Sequence, residues 1–305
     1  MSTVIKHYRN SFIDITSDKI RILMDPWLYT ANEGSWAASK NGDNYIFDSL
    51  KNKKVDYIYI SHLHTDHFDL KFLKKLKKKQ KKNFKIIIKK FKDNRLKNTL
   101  ISNGFISKDI IDIPEYEIYK LKDQAKIIIL PQVSSSNTPS EYIKYDLDTS
   151  CVFIDKNVSL YNQVDNPYSL QDIKLVMKNL RKIIKTKFDL AFVPYCAASE
   201  FPQSFINLKR SNEKKKKISE RIKKFLLVGK SIECLNIIPA GGSYRLDNIF
   251  SKLNKFLAIP NFNQIKNIYK RFNKSKFNLI NSEESFFIAT KHKIIFKKND
   301  FNTKI

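Results

Sequence analysis

Glycine is scarce in this chain, with 6 residues in 305, and cysteine scarcer still, with 3. No stretch resembles a Pro/Gly/Ser linker, so a chain divided into tethered modules is not expected. Cys151, Cys196 and Cys234 have no paired spacing, which argues against a disulfide framework and for a reducing compartment. No apolar run approaches the length of a membrane-spanning helix, and no basic-then-apolar leader follows Met1. The reading is a cytoplasmic protein with no membrane insertion, taking Met1 as the native start. Acidic residues are also in short supply. Against 57 Lys and Arg stand 30 Asp and Glu, a formal net charge of +27. Such a charge suits an anionic partner, nucleic acid included. Lys, Asn and Ile are abundant throughout, however, while Gly and Ala are few. Compositional drift explains that better than a dedicated nucleic-acid role, since drift spreads lysine everywhere rather than along one stripe. The positive field still favours an anionic small-molecule substrate.

What the chain does have is apolar content for a core, 42% by composition. The simplest organisation is one domain over residues 1–245, with a helical and strand extension over 246–305 packed on it.

Histidine is the most informative scarcity. Of five histidines, three fall in Ser61-His62-Leu63-His64-Thr65-Asp66-His67. This stretch follows the apolar run Val55 to Ile60, which reads as a buried strand. It precedes a helix expected from Asp69 to Lys82. Residues two apart in an extended segment point the same way, so His62 and His64 can reach one ion. Asp66 and His67 follow where the chain must turn, and can serve a second. Zinc and iron both accept imidazole nitrogen and carboxylate oxygen. Two such ions can activate a water and clamp a reacting oxygen, with Asp66 orienting the nucleophile as a catalytic residue.

The segment SHLHTDH between strand and helix resembles the signature of the metallo-β-lactamase fold superfamily. That resemblance implies an α/β fold, an αβ/βα four-layer sandwich. Ile22-Leu23-Met24-Asp25-Pro26-Trp27-Leu28 resembles the "DPWL" segment of the branch containing the CMP-N-acetylneuraminate hydroxylases. Cys196-Ala197-Ala198-Ser199-Glu200-Phe201-Pro202 resembles that branch's "ASGFP" stretch. The resemblance covers roughly residues 5 to 245 and implies one or two divalent metal ions, zinc or iron. It also implies a bridging aspartate after the strand Val158 to Tyr161, which makes Asp165 a metal ligand here. Many relatives carry a third histidine between 131 and 148. This chain has none, and Asp146, Asp148, Glu141 and Asn137 are the available substitutes. Asp148, just before the strand Cys151 to Ile154, is preferred. The last histidine of the superfamily is also missing beside Pro239-Ala240-Gly241-Gly242, where Tyr244 and Asp247 are the candidates. The paired glycines there permit unusual backbone angles beside a ligand. Asp25 at its strand end reads equally as a turn residue or as a partner to a ligand histidine. His7 reads as structural or as such a partner rather than as a ligand.

Four functions follow, one of them a nucleic-acid enzyme of the same fold that charge alone supports. The first is a metal-dependent hydrolase acting on an anionic or sugar-derived substrate. The second is an iron-dependent hydroxylase of a nucleotide-activated sugar, as the resemblance implies. The sequence has no Cys-x-His…Cys-x-x-His pattern for a Rieske domain, so that reading requires a separate electron-transfer partner. The third is a non-catalytic binder with a degenerate metal site.

Overall fold

A computed structural model of the chain describes residues 2–17, 19–38, 44–80, 84–133, 148–272, 277–281 and 285–298. Asn137, Glu141 and Asp146 lie outside these residues. The chain opens with three antiparallel neighbours, β1 (Thr3–Arg9), β2 (Phe12–Thr16) and β3 (Arg21–Met24). A short β4 (Trp36–Ala37) and helix α1 (Asn44–Lys51) follow. Strands and helices then alternate through β5 (Tyr57–Tyr59), α2 (Leu70–Lys79), β6 (Lys85–Lys89), α3 (Arg95–Ser102) and β7 (Ile110–Ile113). Helical crossovers make strands parallel, and β3, β5, β6 and β7 are parallel neighbours.

A second sheet begins with β8 (Ile118–Lys120), β9 (Lys126–Pro131), β10 (Thr149–Ile154) and β11 (Ser159–Asn162). Helix α4 (Leu170–Ile183) crosses to β12 (Phe188–Pro194), and α5 (Arg210–Ser231) crosses to β13 (Cys234–Ala240). A short β14 (Arg245–Leu246) pairs with β4, and α6 (Phe262–Arg271) follows it. The residues after 245 also add strands to both sheets. β15 (Asn278–Leu279) lies beside β13, and the hairpin of β16 (Ser285–Thr290) and β17 (Lys293–Lys298) lies beside β1.

The sheet orders are β17-β16-β1-β2-β3-β5-β6-β7 and β15-β13-β12-β11-β10-β9-β8. Their inner faces meet across Ile13, Met24, Tyr59, Ile129, Phe153 and Phe192. Phe72, Leu76 and Leu100 cover the outer face of the first sheet at Ile58 and Ile86. Val176, Ile222 and Phe225 cover that of the second at Ile128 and Ala191. The layers run helix, sheet, sheet, helix. This double covering explains the unbroken apolar run Ile127-Ile128-Ile129-Leu130. Alternate side chains leave a strand on opposite faces, so Ile127 and Ile129 enter the core between sheets while Ile128 and Leu130 enter the helix layer.

Local signals behaved as their chemistry requires. Ser169 and Asp172 form a capping box at α4, and Gly104 takes φ +86° just beyond α3. The lysine-rich stretch from Ser204 to Val228 reads in sequence as one long helix, yet the helix spans Arg210–Ser231. Its expected first turns are captured by local contacts: Phe205 N donates to Pro202 O, and the Arg210 guanidinium donates to Gln203 O.

Asp69 joins the layers at the site. Its buried carboxylate caps α2 through Phe72 N at 2.9 Å and also accepts from Leu28 N and Tyr29 N, at 3.0 and 2.8 Å. One side chain thus fastens the segment after Asp25-Pro26 to the helix after the histidines. Asp69→Ala would lose the cap and strand two further N–H groups, at a cost of about 2–4 kcal/mol. Urea unfolding monitored by circular dichroism should show that loss, whereas Lys74→Ala on the exposed face should leave the midpoint nearly unchanged.

Candidate metal centre

Strand β5 delivers the histidine segment, and α2 takes the chain away. Between them the backbone coils tightly, with His67 N and Phe68 N both donating to His64 O, at 3.0 and 2.8 Å. This turn brings His67 back beside His62, their rings 4.4 Å apart between centroids. From the opposite sheet, Thr149 at the start of β10 donates from Oγ1 to Ser61 O at 2.8 Å. That bond sets the neighbouring Asp148 against the histidines.

Asp25 governs the ring orientations. It is fully buried and has φ +41° at the end of β3, a conformation unusual for a residue with a side chain. Its Oδ1 accepts from Ser61 N at 2.8 Å, and its Oδ2 accepts from Ser61 Oγ at 2.6 Å and lies 3.0 Å from His67 Nδ1. The Ser61 hydroxyl has one proton and gives it to Asp25. It must therefore accept from His62 Nδ1, 2.9 Å away. This fixes a tautomer: His62 carries its proton on Nδ1 and presents a bare Nε2. Neutral His67, donating from Nδ1 to Asp25, does the same. A carboxylate behind a histidine is the usual support of a metal-binding imidazole.

The two Nε2 atoms face a compact set of donors. His62 Nε2 lies 2.8 Å from His64 Nδ1 and 3.5 Å from Asp148 Oδ1. His67 Nε2 lies 3.2 Å from Asp165 Oδ2 and 3.5 Å from Asp66 Oδ2. Two groups of possible metal donors result, His62 with His64 and Asp148, and His62 with His67 and Asp165, each group's ligand atoms lying within 4.8 Å of one another. Asp66 stands beside the second group through His67. Of the buried side-chain atoms without a hydrogen-bond partner among the described residues, three lie here: His67 Nε2, Asp148 Oδ1 and Asp165 Oδ1. Buried polar atoms are rarely left so, and these three belong to the same donor groups. Divalent cations held by these two groups would satisfy all three, so the residues present fit a metal.

Electrostatics gives the same account. Burial disfavours charge on His62, and His67 and His64 add to it, holding its pKa well below the ordinary value. Burial likewise opposes charge on His67, but Asp165 and Asp66 overcome it and hold it well above. Burial, helped by the charge of Asp165, pushes Asp148 up to about 7. Asp66 is lowered, because His67 outweighs its burial. Carboxylates crowded in a buried site need positive charge between them.

The surrounding turns hold these groups in place. Val164, β-branched and buried, has φ +56° immediately before Asp165. Such a residue departs from its preferred region only where its surroundings dictate it. Gly241 and Gly242 take φ +79° and +77°. A Cβ on Gly241 would lie 3.3 Å from Asp165 Oδ1, and one on Gly242 would collide with Cys196 at 2.4 Å. The glycine pair expected beside a ligand therefore abuts Asp165. Asn10 shapes that turn, accepting from Gly241 N on its backbone oxygen and from Gly242 N on Oδ1, at 2.9 and 2.6 Å.

The remaining candidates stand outside both donor groups. His7 Nε2 lies 2.8 Å from Asn10 O, and burial lowers its pKa to about 4. Tyr244 stacks on Trp36, centroids 4.7 Å apart, and with it lines a cavity of about 290 Å³. Asp247 precedes a 3-10 helix and donates its N–H to Ser35 O at 2.8 Å. Ser61 and Thr149 escaped sequence reading. Ser61 carries a legible signal, a hydroxyl next to the first histidine; Thr149 carries none.

No family model matches the sequence. A 54-residue segment, 18% of the chain, is 43% identical to a Mycolicibacterium smegmatis protein named for a Rieske 2Fe-2S iron–sulfur group, and spans 10% of that protein. Among solved structures, the chain resembles Igni18, a metallo hydrolase of the archaeon Ignicoccus hospitalis, at 15% identity and TM-score 0.57, covering 98% of this chain and 100% of that one. It resembles CmlA, a diiron β-hydroxylase from Streptomyces venezuelae, at 12% identity and TM-score 0.60. There the match covers 97% of this chain and 54% of CmlA, so the chain spans about half of that protein. It also resembles YhfI from Bacillus subtilis, a metallo-β-lactamase fold protein, at 12% identity and TM-score 0.55, covering 94% and 98%. Identities this low speak to architecture alone. Two facing mixed sheets with helices outside them and the likeness in architecture to these neighbours give the fold: the chain has the metallo-β-lactamase fold.

Proposed function

We propose that the chain is a metal-dependent enzyme with a carboxylate-rich centre for two divalent ions. In this reading His62, His64 and Asp148 would hold one ion, His67 and Asp66 would hold the other, and Asp165 would serve both. The reading rests on the convergence of unpartnered buried donors on His62 and His67. Divalent metal held there would supply Lewis acidity and an activated water or, if iron, redox chemistry with dioxygen.

The preferred reaction is hydrolysis of an anionic small-molecule or sugar-derived substrate. The chain's own groups have distinct tasks. Asp25 and Ser61 hold the two imidazoles with their lone pairs inward. Asp66, a carboxylate beside His67, would accept a hydrogen bond from the attacking water and orient it. The likeness in fold to Igni18 supports this reading. A second reading, iron-dependent hydroxylation, is favoured by one specific observation: Asp148, a carboxylate, stands beside His62 and His64. Oxygen donors of this kind suit iron, and CmlA is described as a diiron hydroxylase. That reading needs an electron donor outside these 305 residues. A cytoplasmic location is a further part of the proposal; among the described residues no helix is long and apolar enough to cross a membrane.

Elemental analysis of protein purified without added metal distinguishes these readings. Zinc or manganese near two per chain is expected for the hydrolase and iron for the hydroxylase; negligible metal under several growth conditions would sink both. Asp165→Ala should lower the metal content while leaving the circular dichroism spectrum unchanged. Asp25→Asn preserves volume but disturbs the support behind His67, and should weaken metal binding about 10–100-fold in chelator competition. Metal affinity should also fall with acidity. Asp148 titrates at about 7 and His67 above its ordinary value, so both bind protons on the acid side and must release them to take metal. Chelator competition at several pH values should show weaker binding below pH about 7; constant affinity across that range would contradict the assignment.

A further inference from the structure

Asp165 also lines a cavity of about 360 Å³. Its floor is made by Tyr195, Cys196 and Ala197 after β12, and its far wall by α5. The residues that α5 contributes include Lys217, Arg221 and Lys224. Their spacing of four and three puts all three on one helical face. Three cations in that row repel one another, a cost that a surface helix otherwise avoids. On the same wall, Phe225 and Val228 give the cavity an apolar end.

Arg221 is a fixed member of the row. Its Nη1 donates to Ala258 O at 2.7 Å and lies 2.8 Å from Cys196 Sγ, and its Nη2 donates to Ala197 O at 2.8 Å. These bonds pin the guanidinium to the loop that forms the cavity floor. The two lysines are less constrained. Lys217 lies 3.5 Å from Glu220, an exposed carboxylate on the same helix. The carboxylate in the cavity lining is Asp165, already committed to the metal centre in the proposed function. The same cavity lining thus carries the proposed metal ligand and three cations.

We propose that this cavity is the substrate's anion subsite, that Lys217, Arg221 and Lys224 bind a phosphate group of the substrate, and that the substrate's reacting part lies toward Asp165. The proposal deepens the metal-enzyme reading and rests on it for the identity of the reacting end. A phosphate suits the row better than a single carboxylate does, because its two charges and several acceptor oxygens can engage two ammonium groups and a guanidinium together. The general excess of lysine does not produce this arrangement. Lys215, Lys216 and Lys223 of α5 are absent from the cavity lining, whereas the row facing the cavity is centred on a guanidinium held by backbone oxygens.

The test uses inorganic phosphate and pyrophosphate as probes, by calorimetry, with the full chain as purified and after chelation. The variants are Lys217→Gln/Lys224→Gln and, as control, Lys215→Gln/Lys216→Gln, which removes the same charge from elsewhere on the helix. Arg221 is left intact because it also holds the loop. The cavity pair should lose affinity by about tenfold or more with metal content unchanged, while the control pair stays within about twofold of wild type. Equal losses in both pairs would show a diffuse positive field and overturn the subsite, as would full binding by the cavity pair. Chelated protein separates this proposal from the metal reading. Phosphate binding that depends on Lys217 and Lys224 but needs no metal supports the subsite whatever the elemental analysis finds. Binding that vanishes on chelation and ignores the two lysines assigns the anion to the metal ions instead and refutes the subsite.

Discussion

The structure of the centre depends on how one buried carboxylate is shared. Asp25 has two oxygens and serves Ser61 N, Ser61 Oγ and His67 Nδ1. Ser61 in turn settles the proton on His62. Two imidazoles from different points of a turning loop are therefore oriented by a residue from another strand. The cost is visible in the backbone of Asp25, held in the left-handed region ahead of Pro26. The gain is rigidity at two nitrogen atoms whose direction decides what they can bind.

The sandwich places that centre where the two sheets converge. The first sheet supplies Asp25 and the histidine segment, and the second supplies Asp148 and Asp165 at the ends of β10 and β11. Neither sheet alone presents a complete donor set. Thr149 makes the junction explicit: its hydroxyl lies 2.6 Å from Tyr59 OH and donates to Ser61 O, so the sheets are tied at the residue next to Asp148. The anion-binding wall belongs to a third layer, helix α5, which reaches the site through Cys196 and Ala197. Charge is distributed to match, with carboxylates gathered among the histidines and cations held across the cavity.

Much of this was legible in the chain because the informative signals are local. A strand, a dense histidine turn and a helix occur in that order between Val55 and Lys79, and the fold follows from them. The Ser169 capping box and the Asn103-Gly104 stop are likewise short-range chemistry. What could not be read depends on packing between distant segments. Asp69 gripping Leu28 and Tyr29, and Thr149 gripping Ser61, span 41, 40 and 88 residues. No periodicity records such contacts. The start of α5 was misplaced for the opposite reason: the sequence continues to favour a helix, but turn bonds from Pro202 and Gln203 win locally. The row Lys217, Arg221 and Lys224 was hidden by abundance, since lysine is everywhere in this composition and only the fold shows which ones face a cavity.

The order of the first sheet has a consequence for how the protein is made. Strand β1 lies between β2 and β16, and Thr3 pairs with Ala289. A ribosome must add nearly the whole chain after β1 before that partner exists, roughly 15–55 s at ordinary elongation rates. For that time the outer edge of β1 offers unpaired backbone groups in an apolar, β-branched segment, a template for pairing with other chains. β1 carries Lys6 and Arg9 among its apolar residues, and charges on a strand edge discourage such pairing. The basic excess that hides the α5 row in the sequence thus gives the nascent chain a means of discouraging such pairing until β16 arrives.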